Sequence, residues 1–174
     1  MNEPEFRLID PQMISDNPFR LIDKEWMLIT AGQTESFNTM TASWGGFGVL
    51  WNKPVVFCFV RPVRYTYKFM EKSDYFTASF FGREYRKALN YCGKYSGRNV
   101  DKMKATGLTP KTSPKGSIYF DEARLVLECR KLYFSDLNPE HFVDPEIIRN
   151  YPEADYHRMY VGEITNCFSR EKPL

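Results

Sequence analysis

The sequence predicts a mainly β fold, an antiparallel β-barrel with accessory helices. Three features carry the prediction. Runs of strand length either alternate apolar with polar residues or are apolar throughout. Turn-forming residues separate them. Helical spacing is concentrated in one insertion near the middle of the chain. The expected count is six or seven strands.

Taken in order, "DNPFRLIDKE" predicts a short helix, with Asn17 as N-cap and Pro18 at the first helical position, where a missing N–H costs nothing. "EWMLITAG" puts Met27, Ile29 and Ala31 on one side and Trp26, Leu28 and Thr30 on the other, a strand ending at Gly32. "ESFNTMTASW" is also extended, because Thr39, Thr41 and Ser43 alternate with Met40 and Ala42. "PVVFCFV", residues 54–60, is β-favouring and almost wholly apolar, which predicts a strand buried on both faces. "YTYKFMEKS", 65–73, predicts a short helix, and "YFTASFFG", 75–82, a strand.

From Glu84 the period changes. Tyr85, Ala88, Leu89 and Cys92 fall at helical spacing. "RNVDKMKATG" predicts a second helical patch stopped by Gly107. "TPKTSPKGS", 109–117, is a loop by its prolines and small polar residues. "IYFDEARLVLECRKLYF" alternates as one long strand or two, with Leu125, Leu127 and Cys129 opposite Val126, Glu128 and Arg130. "NPEHFVDPEIIRNYPEAD" predicts a helical turn or two, and "YHRMYVGEITNCF" a closing strand with His157, Met159 and Val161 on one face.

A chain of 174 residues suits one domain spanning 1–174 and can bury a core without disulfide or metal staples. The net charge is +2 with no basic stripe, so neither nucleic acid nor a membrane surface is an expected partner. No apolar run approaches the length of a membrane span. The amino-terminal "MNEPEFRLIDPQ" is acidic and lacks the apolar core of a signal peptide. Cys58, Cys92, Cys129 and Cys167 are widely spaced and only His141 and His157 join them, so no metal site is expected. Reduced thiols in the cytoplasm are the expected setting. The aromatic share of 16% fits either a well-filled core with an oligomer interface or a site for a flat ligand. Trp26 and Trp51 are expected in the core or an interface. Glu128 and Glu163, flanked by apolar residues, are expected to be paired carboxylates on strand faces. Cys92-Gly93 is expected to be a packed helix end rather than a redox site.

Two stretches can carry chemistry. "NTMTASWGG", 38–46, sets small hydrogen-bonding side chains beside one large ring and two glycines. "RPVRYTYKF", 61–69, brackets a turn with Arg61 and Arg64 before a helix start at Tyr65 and Thr66. Unpaired N–H groups at a helix start and forked guanidinium donors suit a phosphate. The plain alternative is a solvated pair of arginines, and spacing alone does not separate the two. The strand 54–60 joins the stretches, so they can meet around a flat polar ring that bears a phosphate.

In these stretches the sequence resembles the flavin reductase-like, FMN-binding split-barrel family, with flavoredoxin-type proteins as its nearest kin. The resemblance rests on N-x-x-T-A-S-W, R-x-x-R-Y-T and S-G-R-x-x-D-K in that order, and it continues through "DYFTASFF", "ARLVLEC" and "HRMYVGEI". It implies a Greek-key-like antiparallel split barrel that dimerises, with FMN near the subunit interface. Asn38, Met40, Thr41, Ala42, Ser43 and Trp44 match the segment along the flavin ring and ribityl chain. Arg61, Arg64, Tyr65 and Thr66 match the phosphate turn, and Ser79 and Phe80 the neighbouring strand. Ser96, Gly97, Arg98 and Lys102 match a loop and helix start near the cofactor, and His157 a position on the last strand.

The resemblance also implies the activity, an FMN-dependent oxidoreductase reduced by NADH, NADPH or a redox partner protein and passing the electrons on. No protein acid or nucleophile is required, since the flavin carries the chemistry. Many free-flavin reductases of the family carry Gly-Asp-His before the last strand, whereas this chain has "DYH". That departure weighs against direct oxidation of a nicotinamide and favours retained FMN with a protein partner. The alternatives are a non-catalytic flavin- or haem-binding split barrel and, more remotely, an enzyme of the pyridoxamine-phosphate-oxidase type.

Overall fold

The computed structural model describes residues 5–170. The first four residues of the amino-terminal stretch discussed above, and the last four of the 1–174 span, lie outside them. Ten strands are described: β1 (Arg7–Ile9), β2 (Met27–Gln33), β3 (Ser36–Ala42), β4 (Gly45–Leu50), β5 (Lys53–Val60), β6 (Tyr75–Phe81), β7 (Pro110–Thr112), β8 (Ile118–Phe120), β9 (Ala123–Asp136) and β10 (Arg158–Ser169). Three α-helices join them: α1 (Tyr65–Lys72), α2 (Arg86–Lys94) and α3 (Lys102–Thr106). The main sheet is antiparallel and runs β3-β2-β6-β9-β10-β5-β4, with β1 also on β10. Its ends, β3 and β4, are consecutive in the chain yet do not pair. The sheet therefore curls without closing, which is the split-barrel architecture.

Alternation along β2 and β9 explains two cores, one on each face of the sheet. Met27, Ile29 and Ala31 of β2 join Leu125, Leu127 and Cys129 of β9 inside the barrel. Leu28 and Val126 point the other way and pack under α2, against Ala88, Leu89 and Cys92. Each face buries side chains that water would otherwise order, at roughly 25 cal/mol per Å² of apolar surface. The expected helix at 17–25 forms, with the Asn17 carboxamide oxygen accepting from the Phe19 and Arg20 amides at 3.0 and 3.2 Å. Its last turns widen to a π-type helix at Arg20–Glu25. The Asp101 carboxylate caps α3 through Lys104 N at 3.0 Å, and Gly107 ends it at φ +74°.

Several expectations need correction. The strand count is ten among the described residues, because β1, β4 and β7 carry too little alternation to announce themselves. Residues 109–117 are not all loop: β7 and β8 form a hairpin closed by Ser113 N to Ser117 O at 2.8 Å. Residues 118–134 take the two-strand form of the expectation, dividing into β8 and β9 at Asp121-Glu122, where the Glu122 carboxylate accepts from Thr109 N. β5 is not buried on both faces, since Phe57 and Phe59 are only half-buried. Trp51 is not in the core, which leaves the interface of its two expected places. It sits at the tip of the β4–β5 hairpin at φ +51°, 56% exposed. Residues 139–150 form the two expected short turns.

The cysteines are buried free thiols. The two strand carboxylates are paired as expected. Glu128 accepts from Asn166 and Ser113, and Glu163 from Lys53 and Arg130. No helix among the described residues is long and apolar enough to cross a membrane.

Candidate functional site

The site lies where the sheet splits. The β2–β3 ladder ends at Ala42 and the β4–β5 ladder begins at Gly45. Ser43 and Trp44 lie between them, so their backbone groups are not used in either ladder and can serve a ligand. Gly45 permits the turn: at φ +156° an added Cβ would stand 2.7 Å from the Phe57 carbonyl oxygen. Trp44 is thereby left projecting, 46% exposed, with its ring tilted against His157 at 5.2 Å.

These residues form one wall of a cleft of about 460 Å³. Met40, Thr41, Ala42 and Ser43 supply the floor, and Phe59, Arg61 and His157 the side beneath Trp44. The opposite wall is α2, through Leu89, Asn90, Gly93 and Lys94, and Trp26 closes one end. Thr41 Oγ1 donates to Leu89 O at 2.5 Å and fixes the spacing between floor and helix. At Arg64 the cleft meets a smaller cavity of about 180 Å³, lined by Asn38, Tyr65, Thr66, Ser96, Gly97, Arg98 and Lys102.

The two motif arginines are held differently. Arg61 donates to both oxygens of Asp155 at 3.1 Å and to Asn150 O at 2.7 Å. It therefore anchors the segment that carries Tyr151 and His157. Arg64 donates to Gly93 O at 2.8 Å and lines both cavities. Burial, and then the neighbouring Arg61 charge, hold its pKa below the usual arginine value. An anion placed between the two cavities relieves that strain. No side chain caps α1 behind Arg64, so its first amides remain open to the same anion.

Asn38 faces the smaller cavity rather than the ring edge. Its amide donates to Thr66 Oγ1 at 2.7 Å and Thr39 O at 3.3 Å. Lys102 is buried and donates to Thr39 O at 2.6 Å and Cys92 O at 2.9 Å, which ties β3 to the end of α2. Burial lowers its pKa to about 8. Arg98 donates to Val63 O at 3.2 Å and sits over the Tyr65 ring. Gly97 is required by proximity: an added Cβ would lie 2.0 Å from Asn38 Oδ1. Cys92 is fully buried and its thiol is pushed up to about 11, so it is inert packing.

His157 is buried beside the cleft. Its Nδ1 is 2.8 Å from the Tyr151 hydroxyl. Burial first, then the positive charge of Arg61, lower its pKa to about 4, so the imidazole is neutral at physiological pH. Which of the two groups donates follows the imidazole tautomer.

Ser79 and Phe80 are the site residues that the structure does not bring to the cleft. Phe80 is in the barrel core and Ser79 is fully buried on the opposite face, with its Oγ lacking a hydrogen-bond partner among the described residues. The reason is position: β6 lies in the middle of the sheet, paired on both sides. Conversely, Phe59, Asn90 and Lys94 line the cleft without having been singled out, and Trp26, expected in the core or an interface, lines it too. The α2 pattern did contain a signal, since Asn90 and Lys94 stand four apart on the polar side of an amphipathic helix.

An open antiparallel barrel with an aromatic-walled cleft at its split defines the class as a split-barrel protein. Residues 19–174 match the model of the flavin reductase like domain, and the chain belongs to that family. Solved structures agree. Flavoredoxin from Methanosarcina acetivorans is 25% identical, with a TM-score of 0.66 over 86% of this chain and 70% of that one. Flavoredoxin of Desulfovibrio vulgaris (Miyazaki F) is also 25% identical, with a TM-score of 0.64 over 82% and 67%. An FMN-binding domain of a flavin reductases-like enzyme from Shewanella baltica is 14% identical and superposes with a TM-score of 0.72 over 98% and 80%, a likeness of fold. No curated protein matches the chain significantly.

Proposed function

We propose that the chain binds FMN at the split of the barrel and works as a flavin-dependent oxidoreductase. The observation that carries this is the pair of joined cavities. A ring-sized cleft with unspent backbone groups at 43–44 opens, at Arg64, into a small cationic pocket at a helix start. The donor set fits a flat polar ring with a phosphate on a flexible arm. Arg64, Thr66, Ser96 and Arg98 hold the phosphate end, and the Ala42–Trp44 backbone and Trp44 ring hold the ring end. Bound FMN supplies the hydride and electron chemistry. The chain binds and orients the cofactor, screens one face with α2, and keeps a neutral His157 against the Trp44 side.

The electron donor is a reduced nicotinamide or a redox partner protein, and the electrons pass to an acceptor. The resemblance to flavoredoxins supports a homodimer, and the reduced thiols support a cytoplasmic setting. Titration of the purified chain with FMN tests the cofactor: saturation at one FMN per chain is expected, and a folded sample that binds none removes the reading. Anaerobic addition of NADH and NADPH then separates an enzyme, whose flavin absorbance bleaches, from a carrier or storage protein, whose absorbance persists with both.

A further inference from the structure

Beside the cleft lies a second, unassigned cavity of about 350 Å³. Arg20, Lys24, Arg83 and Arg86 line it with one carboxylate, Glu25, while the adjacent Asp23 pairs with Lys24 at 2.5 Å. On a chain whose net charge is only +2, that concentration of cations in a concave space is local and specific. Glu25 is already neutralised: Oε1 accepts from Arg20 at 3.1 Å and Oε2 from Arg124 at 2.8 Å. Arg83 is exposed and has no ion-pair or hydrogen-bond partner among the described residues.

The notch and the cleft share a wall. Leu89 lines both. Arg86 lines the notch and lays its guanidinium over the Trp26 ring at 3.1 Å, while Trp26 lines the cleft. Arg86 is pinned in that place by donating to Lys24 O at 2.6 Å. Trp26 itself is held at φ +70°, a conformation that side-chain-bearing residues persist in only when their surroundings enforce it. Its indole N–H donates to Asp23 O at 3.0 Å and completes the enforcement. The chain thus spends backbone strain to place a flat ring between a cofactor-sized cleft and a basic notch.

We propose that this notch receives the 2′-phosphate of NADPH, so that of the two kinds of donor left open above a reduced nicotinamide reduces the flavin, as NADPH and not NADH, against the expectation drawn from the missing Gly-Asp. The inference rests on the flavin reading above. A nicotinamide ring in the cleft, against the flavin, leaves the adenosine half of the dinucleotide to extend past Trp26. A 2′-phosphate is a compact dianion, and arginine forks suit it. NADH presents only a hydroxyl there and gains none of those charged contacts. The notch is concave and small, which fits one nucleotide phosphate and not the broad face of an acidic protein.

Calorimetric titration with adenosine 2′,5′-bisphosphate and with AMP tests the notch without any flavin turnover. The bisphosphate is expected to bind at least tenfold tighter than AMP, and Arg83→Glu and Lys24→Glu are each expected to erase most of that margin. In anaerobic stopped-flow reduction of the FMN-loaded protein, Arg83→Glu is expected to raise the apparent Kd for NADPH about tenfold and leave that for NADH unchanged. FMN affinity and Tm of both variants should match the parent. Equal binding of the two nucleotides, or a loss in Arg83→Glu common to NADPH and NADH, overturns the proposal. A chain that binds no FMN yet still prefers the bisphosphate would keep the notch and remove the flavin reading.

Discussion

Arg61 and Arg64 occupy one motif, and the sequence alone assigns them one task. The structure divides it. Arg61 spends its donors on Asp155 and Asn150 O, whereas Arg64 lines both cavities. Arg64→Ala is therefore expected to weaken FMN binding by about 1.5–3 kcal/mol, the usual loss of a charged hydrogen bond. Arg61→Ala should cost FMN less and instead loosen residues 150–157, seen as faster amide exchange there. Equal effects of the two on FMN affinity would return Arg61 to the phosphate. His157 offers a second residue-level check. Its folded pKa of about 4 lies below the unfolded 6.5, so the unfolded chain binds more protons between those values. Its contribution to stability is present above pH 6.5 and is lost as pH falls through 4. Chemical denaturation at stepped pH should show that decline, and His157→Asn should flatten it. The type of residue at these sites was legible in the sequence. The side-chain partners were not, because Asp155 and Gly93 reach the arginines only through folding. Ser79 and Phe80 show the same limit, since strand register decides which face each presents and hides both from the cleft.

At the scale of elements, sequence periodicity succeeded where one face met one environment. The alternation of β2 and β9 and the apolar stripe of α2 all appear where expected. It failed where composition masks the pattern. Three glycines hide β4, and a proline, a lysine and a threonine hide β7 inside an apparent loop. It also failed where apolar residues serve a cleft rather than a core, as Phe59 does on β5. What holds the site together is a joint between elements. Lys102 of α3 donates to a carbonyl of β3 and to one at the end of α2. Lys102→Met should leave Cys92 O without this donor, at about 1–3 kcal/mol, and Thr39 O with the longer Asn38 bond at 3.3 Å, and a drop in Tm with loss of FMN affinity is the expected result. Gly97→Ala probes the same joint from the other side. The new methyl would collide with Asn38 Oδ1, so Asn38 must release Thr66 and the smaller cavity must reshape. FMN affinity and Tm should both fall, because releasing the buried Thr66 hydroxyl gives up a buried hydrogen bond as well as reshaping the cavity.

For the whole molecule, the open barrel leaves an edge that a monomer manages poorly. β4 is the terminal strand of the sheet. Val49 is 77% exposed on it, and the hairpin tip beyond carries Trp51 against Tyr133 at 6.2 Å, with Phe134 also exposed. Edge strands of this kind invite pairing unless charge or proline guards them. Here Gly46 and Gly48 leave open space along the strand, with nothing within 4 Å of an added Cβ at either. A second copy of the chain is the occupant proposed for this edge. The same edge begins at Gly45, directly after Trp44, so a dimer on it would lie beside the cleft and cover flanks that a single chain leaves open. Sedimentation of the native chain is expected to give a dimer, and the double substitution Val49→Glu with Trp51→Glu to give a folded monomer. If FMN binding draws on the partner copy, that monomer should lose affinity in step with its dissociation. A native chain that sediments as a monomer and still binds FMN at one per chain would show that each barrel completes its site alone.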